Sequence, residues 1–165
     1  MDTESLIGGE NRVEFLEEAA ELRRAEEATS SLASRLMGAR GESVMIDLCS
    51  GERVYVGIQD CSNHWLRGVT NSGNILISLT AIACVTGLSA GVVGEFSGPV
   101  SRNMSFASAI RVFADKCHDV VVCAGGSHFV GRIMRVGNDC VDIVCSGDVK
   151  LLSFVAIDYI SERAY

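Results

Sequence analysis

Proline is almost missing from the chain: Pro99 is the only one in 165 residues. That excludes proline-rich and collagen-like architectures. With 48% apolar residues and no low-complexity tract, the composition is that of a folded chain. No apolar run approaches 18 residues free of charge, so no membrane-spanning helix is expected. The opening MDTESLIGGEN lacks the basic and apolar regions of a secretory signal. The seven cysteines are odd in number, include no C-x-x-C pair and sit mostly in apolar runs. They read as small hydrophobes in a reducing cytoplasm. Catalytic signatures are missing as well. There is no G-x-S-x-G elbow and no G-x-x-x-x-G-K-[ST] phosphate loop, and His64, His118 and His128 lie beside no obvious nucleophile. The expectation is a protein that is not an enzyme and carries no cofactor.

Positive charge is scarce at one end. Residues 1–28 hold nine acids and three arginines, whereas the rest of the chain holds twelve acids and eleven bases. The net charge of −7 therefore belongs mainly to the N-terminal segment. An acidic chain disfavours nonspecific DNA binding, which wants positive fields, but the near-neutral remainder leaves room for a local basic face.

What the chain does have is a repeat. NILISLTAIACV (74–85) returns as VKLLSFVAIDYI (149–160), 75 residues later. Leu76, Ser78, Ala81 and Ile82 fall on Leu151, Ser153, Ala156 and Ile157. The same offset places Gly51, Ile58, Asn63 and Val69 on Gly126, Ile133, Asn138 and Val144. Upstream of Val44 the offset becomes 76, with Arg35 on Arg111. Two copies of one unit are expected, roughly 30–86 and 104–162, each too small to be more than marginally stable alone.

Residues 10–28 are rich in helix formers with a thin apolar stripe, so a weak acidic helix in need of a partner is expected. Thr29–Ser31 can end it or cap a second helix, SSLASRLMG. Short alternating runs follow: VMIDL, RVYVGIQDC, HWLRGVT, NILISL and AIACV, divided by SG, SN and NSGN turns. A Gly/Ser-rich stretch at 87–103 reads as a linker. The second copy repeats the scheme, a helix MSFASAIRVFADKC and then five strand-like runs. Gly57 and Gly131 each interrupt a long second strand, where a glycine suggests a sharp bend. The division is thus an acidic helical segment (1–28), repeat 1 (29–86), linker (87–103) and repeat 2 (104–165).

A helix followed by five strands with a glycine-bent second strand resembles the Sm-like fold of the Sm, LSm and Hfq proteins. The resemblance rests on SGERVYVGIQDCSNHWLRGV and AGGSHFVGRIMRVGNDCVDI, with TAIACV and VAIDYI as the last strand pair. It implies a mainly β fold with helices. That fold would be two tandem Sm-like (SH3-like) five-stranded barrels, each preceded by a helix, plus the N-terminal acidic helix. A fainter resemblance is to poorly characterised two-repeat proteins of high-GC Gram-positive bacteria, some called Fis-type regulators, although no helix-turn-helix is readable here. The Arg-Gly pair that helps Sm proteins hold RNA is replaced by Ser78-Leu79 and Ser153-Phe154, and the Lys-His pair of Hfq by Leu79-Thr80 and Phe154-Val155.

The implied function is a bacterial RNA-binding regulator or chaperone-like protein that takes single-stranded RNA. The nucleic-acid candidates are Asn63, His64, Trp65 and Arg67 in one loop region, a basic strip of His128, Arg132 and Arg135, and Asn138 with Asp139 in the second loop. Trp65 equally reads as a core residue. The alternative function is a protein-interaction or assembly module whose acidic helix, residues 10–28, docks on a partner. Open sheet edges near Leu76 and Leu151 are expected to make a homo-oligomer, unless the linker or helix covers them. Cys117, His118, Cys123, Cys140 and Cys145 are metal-ligand types, but their C-H-x4-C and C-x4-C spacings do not match zinc patterns, so no metal site is expected.

Overall fold

The computed structural model describes residues 3–89 and 102–164. Most of the expected linker, residues 90–101, lies outside the described residues. The chain divides into two compact units, Met1–Ser31 and Leu32–Tyr165.

The first unit is one helix, α1 (Thr3–Thr29). It starts earlier than the composition suggests and runs through Gly8 and Gly9. The Thr29 and Ser30 hydroxyls donate to the carbonyls of Glu26 and Glu27, closing its last turn. Val13, Phe15, Leu16 and Leu22 on it are exposed.

The second unit is mainly β. A short helix α2 (Leu32–Gly38) precedes β1 (Ser43–Leu48), β2 (Arg53–Cys61), β3 (Trp65–Thr70), β4 (Gly73–Ser78) and β5 (Ile82–Thr86). Helix α3 (Phe106–Lys116) precedes β6 (Val120–Ala124), β7 (Ser127–Val136), β8 (Cys140–Cys145), β9 (Asp148–Ser153) and β10 (Ile157–Glu162). Ser105 caps α3, its hydroxyl accepting from the Ser108 N–H at 3.1 Å. A 3-10 turn joins the last two strands of each half, at Leu79–Ala81 and Phe154–Ala156.

The ten strands form one open antiparallel sheet in the order β5-β1-β2-β3-β4-β10-β6-β7-β8-β9. Each half repeats a single internal order, with its last strand beside its first. The expectation of two separate barrels is corrected here: the halves share one sheet, which does not close. The reason is the join. β4 pairs with β10, with Leu76 opposite Ile160 and Ile77 opposite Tyr159, so the fourth strand of one half is extended by the fifth strand of the other.

That join is buried on both faces. Ile75, Leu76, Ile77 and Leu79 are all buried, as their unbroken apolar run suggests. Ile75 and Ile77 enter the core of the first half with Cys123 and Tyr159, whereas Leu76 and Trp65 enter the core of the second half with Ile110, Phe113 and Ile160. Each core therefore borrows side chains from the other half. The edge expectation consequently splits. Leu76 is spent inside the chain, while Leu151 on β9 is 67% exposed at a free edge.

At the far end of the join the Glu162 carboxylate accepts from the Asn74 backbone N–H at 2.6 Å and from the Cys117 thiol at 3.1 Å. The bond from Asn74 holds the Glu162 carboxyl below its ordinary range.

Candidate nucleic-acid interface

The β2–β3 loop is built around Ser62, which is fully buried. Its hydroxyl accepts from the His64 N–H at 3.0 Å and reaches Met104 O at 3.3 Å. Asn63 is tied to the segment before α3 twice, by its backbone N–H to Arg102 O and by its side-chain amide to Asn103 Oδ1. Loop and turn are then stitched together in the same way in both halves. Leu79 N–H donates to His64 O at 3.1 Å, and Phe154 N–H donates to Asp139 O at 2.9 Å. These pairs are one repeat apart, so the sequence offset reproduces a real structural equivalence.

The loops and turns of both halves meet around one shallow cavity of about 320 Å³. Asn63, His64 and Thr80 reach it from the first half, and Asn138, Phe154 and Val155 from the second. Phe106 of α3 packs edge-on against Phe154 at 5.5 Å between ring centres. Val155 is 94% exposed. Among the described residues no lysine or arginine lines this cavity. It offers amide groups, an imidazole and aromatic surface, but no cation for phosphate.

The nine candidates from the sequence thus separate. Asn63, His64 and Asn138 converge on this cavity, and Asp139 joins them through its backbone. Trp65 is 4% exposed, and its indole N–H donates to Met104 O at 2.9 Å, so it belongs to the core of the second half. With Arg40, Lys116 and Trp65 itself, Arg67 lines a different cavity of about 650 Å³, 3.8 Å from Asp60. Its Nε is buried there without a hydrogen-bond partner. Arg132 and Arg135 are exposed along β7, in register with Val144 and Asp142 of β8. His128 turns to Glu52 and Tyr159.

Phe106 was not singled out for the site by the sequence. Thr80, Phe154 and Val155 occupy the turn positions at which the Sm-like resemblance puts RNA-holding residues, and the repeat aligns Leu79 and Thr80 with Phe154 and Val155. Of the metal-ligand types, Cys117 is spent on Glu162, and burial pushes its thiol up to about 12. Among the described residues no helix is long and apolar enough to cross a membrane. Neither the scan against protein-family models nor the search of curated proteins gave a match to this chain.

Proposed function

We propose that the chain is a tandem of two Sm-like five-stranded units and that it binds single-stranded RNA on the face where the loops of both halves meet. The reading is of a non-catalytic, regulatory or chaperone-like protein. One observation carries it: two loops and two turns, related by the repeat, converge on a single cavity lined by His64, Phe154 and the amides of Asn63 and Asn138. Splayed bases are held by stacking on aromatic planes and by bonds to their edges, which asparagine supplies as donor and acceptor at once.

The missing cations give the proposal a distinctive test. For single strands the logarithmic salt slope is about −0.7 per phosphate contact, so a site without lysine or arginine should show a slope shallower than about −1.5. Fluorescence anisotropy with short U-rich and A-rich RNAs at several salt concentrations measures it. Saturable binding with a shallow slope, weakened about tenfold by His64→Ala or Asn138→Ala, is the expected result. No binding would refute the RNA reading. A steep slope would move the contact to Arg132 and Arg135.

A second reading, self-assembly, has its own observation. β9 ends the sheet with Val149 and Leu151 both about two-thirds exposed, and β5 ends it on the other side. The join of β4 to β10 is the pattern by which β9 of one molecule could take β5 of the next. Light scattering should then give a mass above that of one chain, falling to one chain in Leu151→Asp. A wild-type protein of single-chain mass would refute it. The exposed apolar stripe of α1, within residues 10–28, is the surface a protein partner would use under this reading.

A further inference from the structure

We propose that Glu52, Cys123 and His128 form a zinc site that clamps the two halves of the sheet together. This goes beyond the RNA reading and does not rest on it.

The donors come from three places. Glu52 lies in the β1–β2 turn of the first half, and Cys123 and His128 face each other across the β6–β7 hairpin of the second. One ligand atom from each lies within 4.8 Å of the other two. The Cys123 Sγ is 3.6 Å from Glu52 Oε2, and His128 Nε2 is 3.5 Å from the same oxygen. Tetrahedral zinc with ordinary bond lengths separates sulfur from oxygen by about 3.6 Å and nitrogen from oxygen by about 3.4 Å. Both separations from Glu52 Oε2 match those of a ligand set, and the thiol and imidazole lie within 4.8 Å of each other. A water fills the fourth position; Asp158 Oδ2, 3.8 Å from Cys123 Sγ, lies outside the set of mutually close ligand atoms.

A supporting partner is also in place. Tyr159 donates its phenol O–H to Glu52 Oε1 at 2.7 Å, which leaves Oε2 turned toward the thiol and the imidazole. Outer partners of this kind orient ligating carboxylates. The donor chemistry selects the metal: one thiolate, one imidazole and one carboxylate suit zinc, whereas magnesium and calcium want oxygen alone.

The repeat shows that these donors are particular to the join. The hairpin position held by Cys123 and His128 is held in the first half by Asp47 and Arg53, which pair with each other at 2.6 Å. The first hairpin is neutralised internally. The second presents a thiol and an imidazole to a carboxylate arriving from the other half. Without metal, the Cys123 thiol donates to Glu52 Oε2 at 3.6 Å. Zinc takes the place of that proton, which is released to solvent.

The test is cobalt titration of the full chain after chelator treatment, with cobalt as the spectroscopic stand-in for zinc. A thiolate-to-cobalt charge-transfer band saturating at one equivalent, and displaced by zinc, is expected. His128→Ala, at an exposed position that leaves the fold intact, and Glu52→Gln should each weaken binding about tenfold or more. Cys49→Ser and Cys84→Ser, at exposed thiols, should leave it unchanged. At free zinc about 100 times Kd, the melting temperature should rise by roughly 5–10 °C. Absence of the band, or a band that survives His128→Ala and Glu52→Gln at full strength, overturns the site.

Discussion

Trp65→Ala is expected to destabilise the protein by about 3–5 kcal/mol, read as a lower urea midpoint. The indole is 4% exposed and sits among Leu76, Ile110 and Phe113, so truncation opens a large cavity that the crossing strands cannot collapse around. The lost N–H bond to Met104 O is a smaller part, because Ser62 also reaches that carbonyl. Trp65→Phe should therefore recover most of the loss. The position matters beyond its volume. Trp65 opens β3 of the first half yet packs in the core of the second, so its removal loosens the join between them. A loss under about 1 kcal/mol, accompanied by weaker RNA binding, would instead show that the ring acts through the larger cavity, which it lines beside Arg67, and restore the nucleic-acid role considered from the sequence.

The repeat explains how much of this was legible. Offset and turn residues placed ten strands in their order, and RVYVGIQDC is a strand end to end. Three of the residues chosen for nucleic acid share one cavity because the repeat made their loops equivalent. The change of offset was set too early, upstream of Val44. It falls in the β1–β2 turn, where Asp47 faces Arg53 but Cys123 faces His128 one residue closer. Helix formers and an apolar stripe mark the N-terminal helix only over residues 10–28, yet α1 begins at Thr3 and runs through Gly8 and Gly9, which disfavour a helix. A fourth strand joined to the fifth strand of the other copy is a pairing the Sm-like resemblance implies, but the sequence does not say that β4 with β10 is the one that forms within the chain. Edge strands with similar apolar runs do not announce which partner they will take, and β4 with β10 is one of several pairings the pattern permits. Everything that depends on it was hidden for the same reason: the borrowed core positions of Trp65 and Leu76, and the meeting of Glu52 with Cys123 and His128 across 71 and 76 residues of chain.

Gly131→Ala is expected to destabilise by about 3 kcal/mol, whereas Gly57→Ala should be neutral or stabilise by about 0.5 kcal/mol. Both glycines interrupt the second strand of a half and both suggest a bend, but they are not equivalent. By the repeat, Gly131 falls on Val56, and Gly57 falls on Arg132. A Cβ at Gly131 would run into the Val144 carbonyl oxygen, with its carbon 2.8 Å away. Those atoms are backbone of β8 and cannot rotate aside, so the two strands must part or β7 must unbend. At Gly57 the nearest atoms are Ser43 Oγ at 3.6 Å and Val69 O at 3.7 Å, ordinary contact distances. There the substitution only removes freedom from the unfolded chain. The first half meets the crowding differently: Val56 keeps its side chain, and the small residue is Gly68 on the neighbouring strand, whose own Cβ would collide with Val56 Cγ1. In the second half the pair is reversed, with Gly131 small and Ile143 large at the position of Gly68. Large and small have exchanged strands while the close approach is kept. Urea unfolding of the two alanine variants side by side decides the matter: equal stabilities would mean that β7 and β8 do not approach as closely as β7's bend requires, and the difference between the halves would then lie elsewhere than in their second strands.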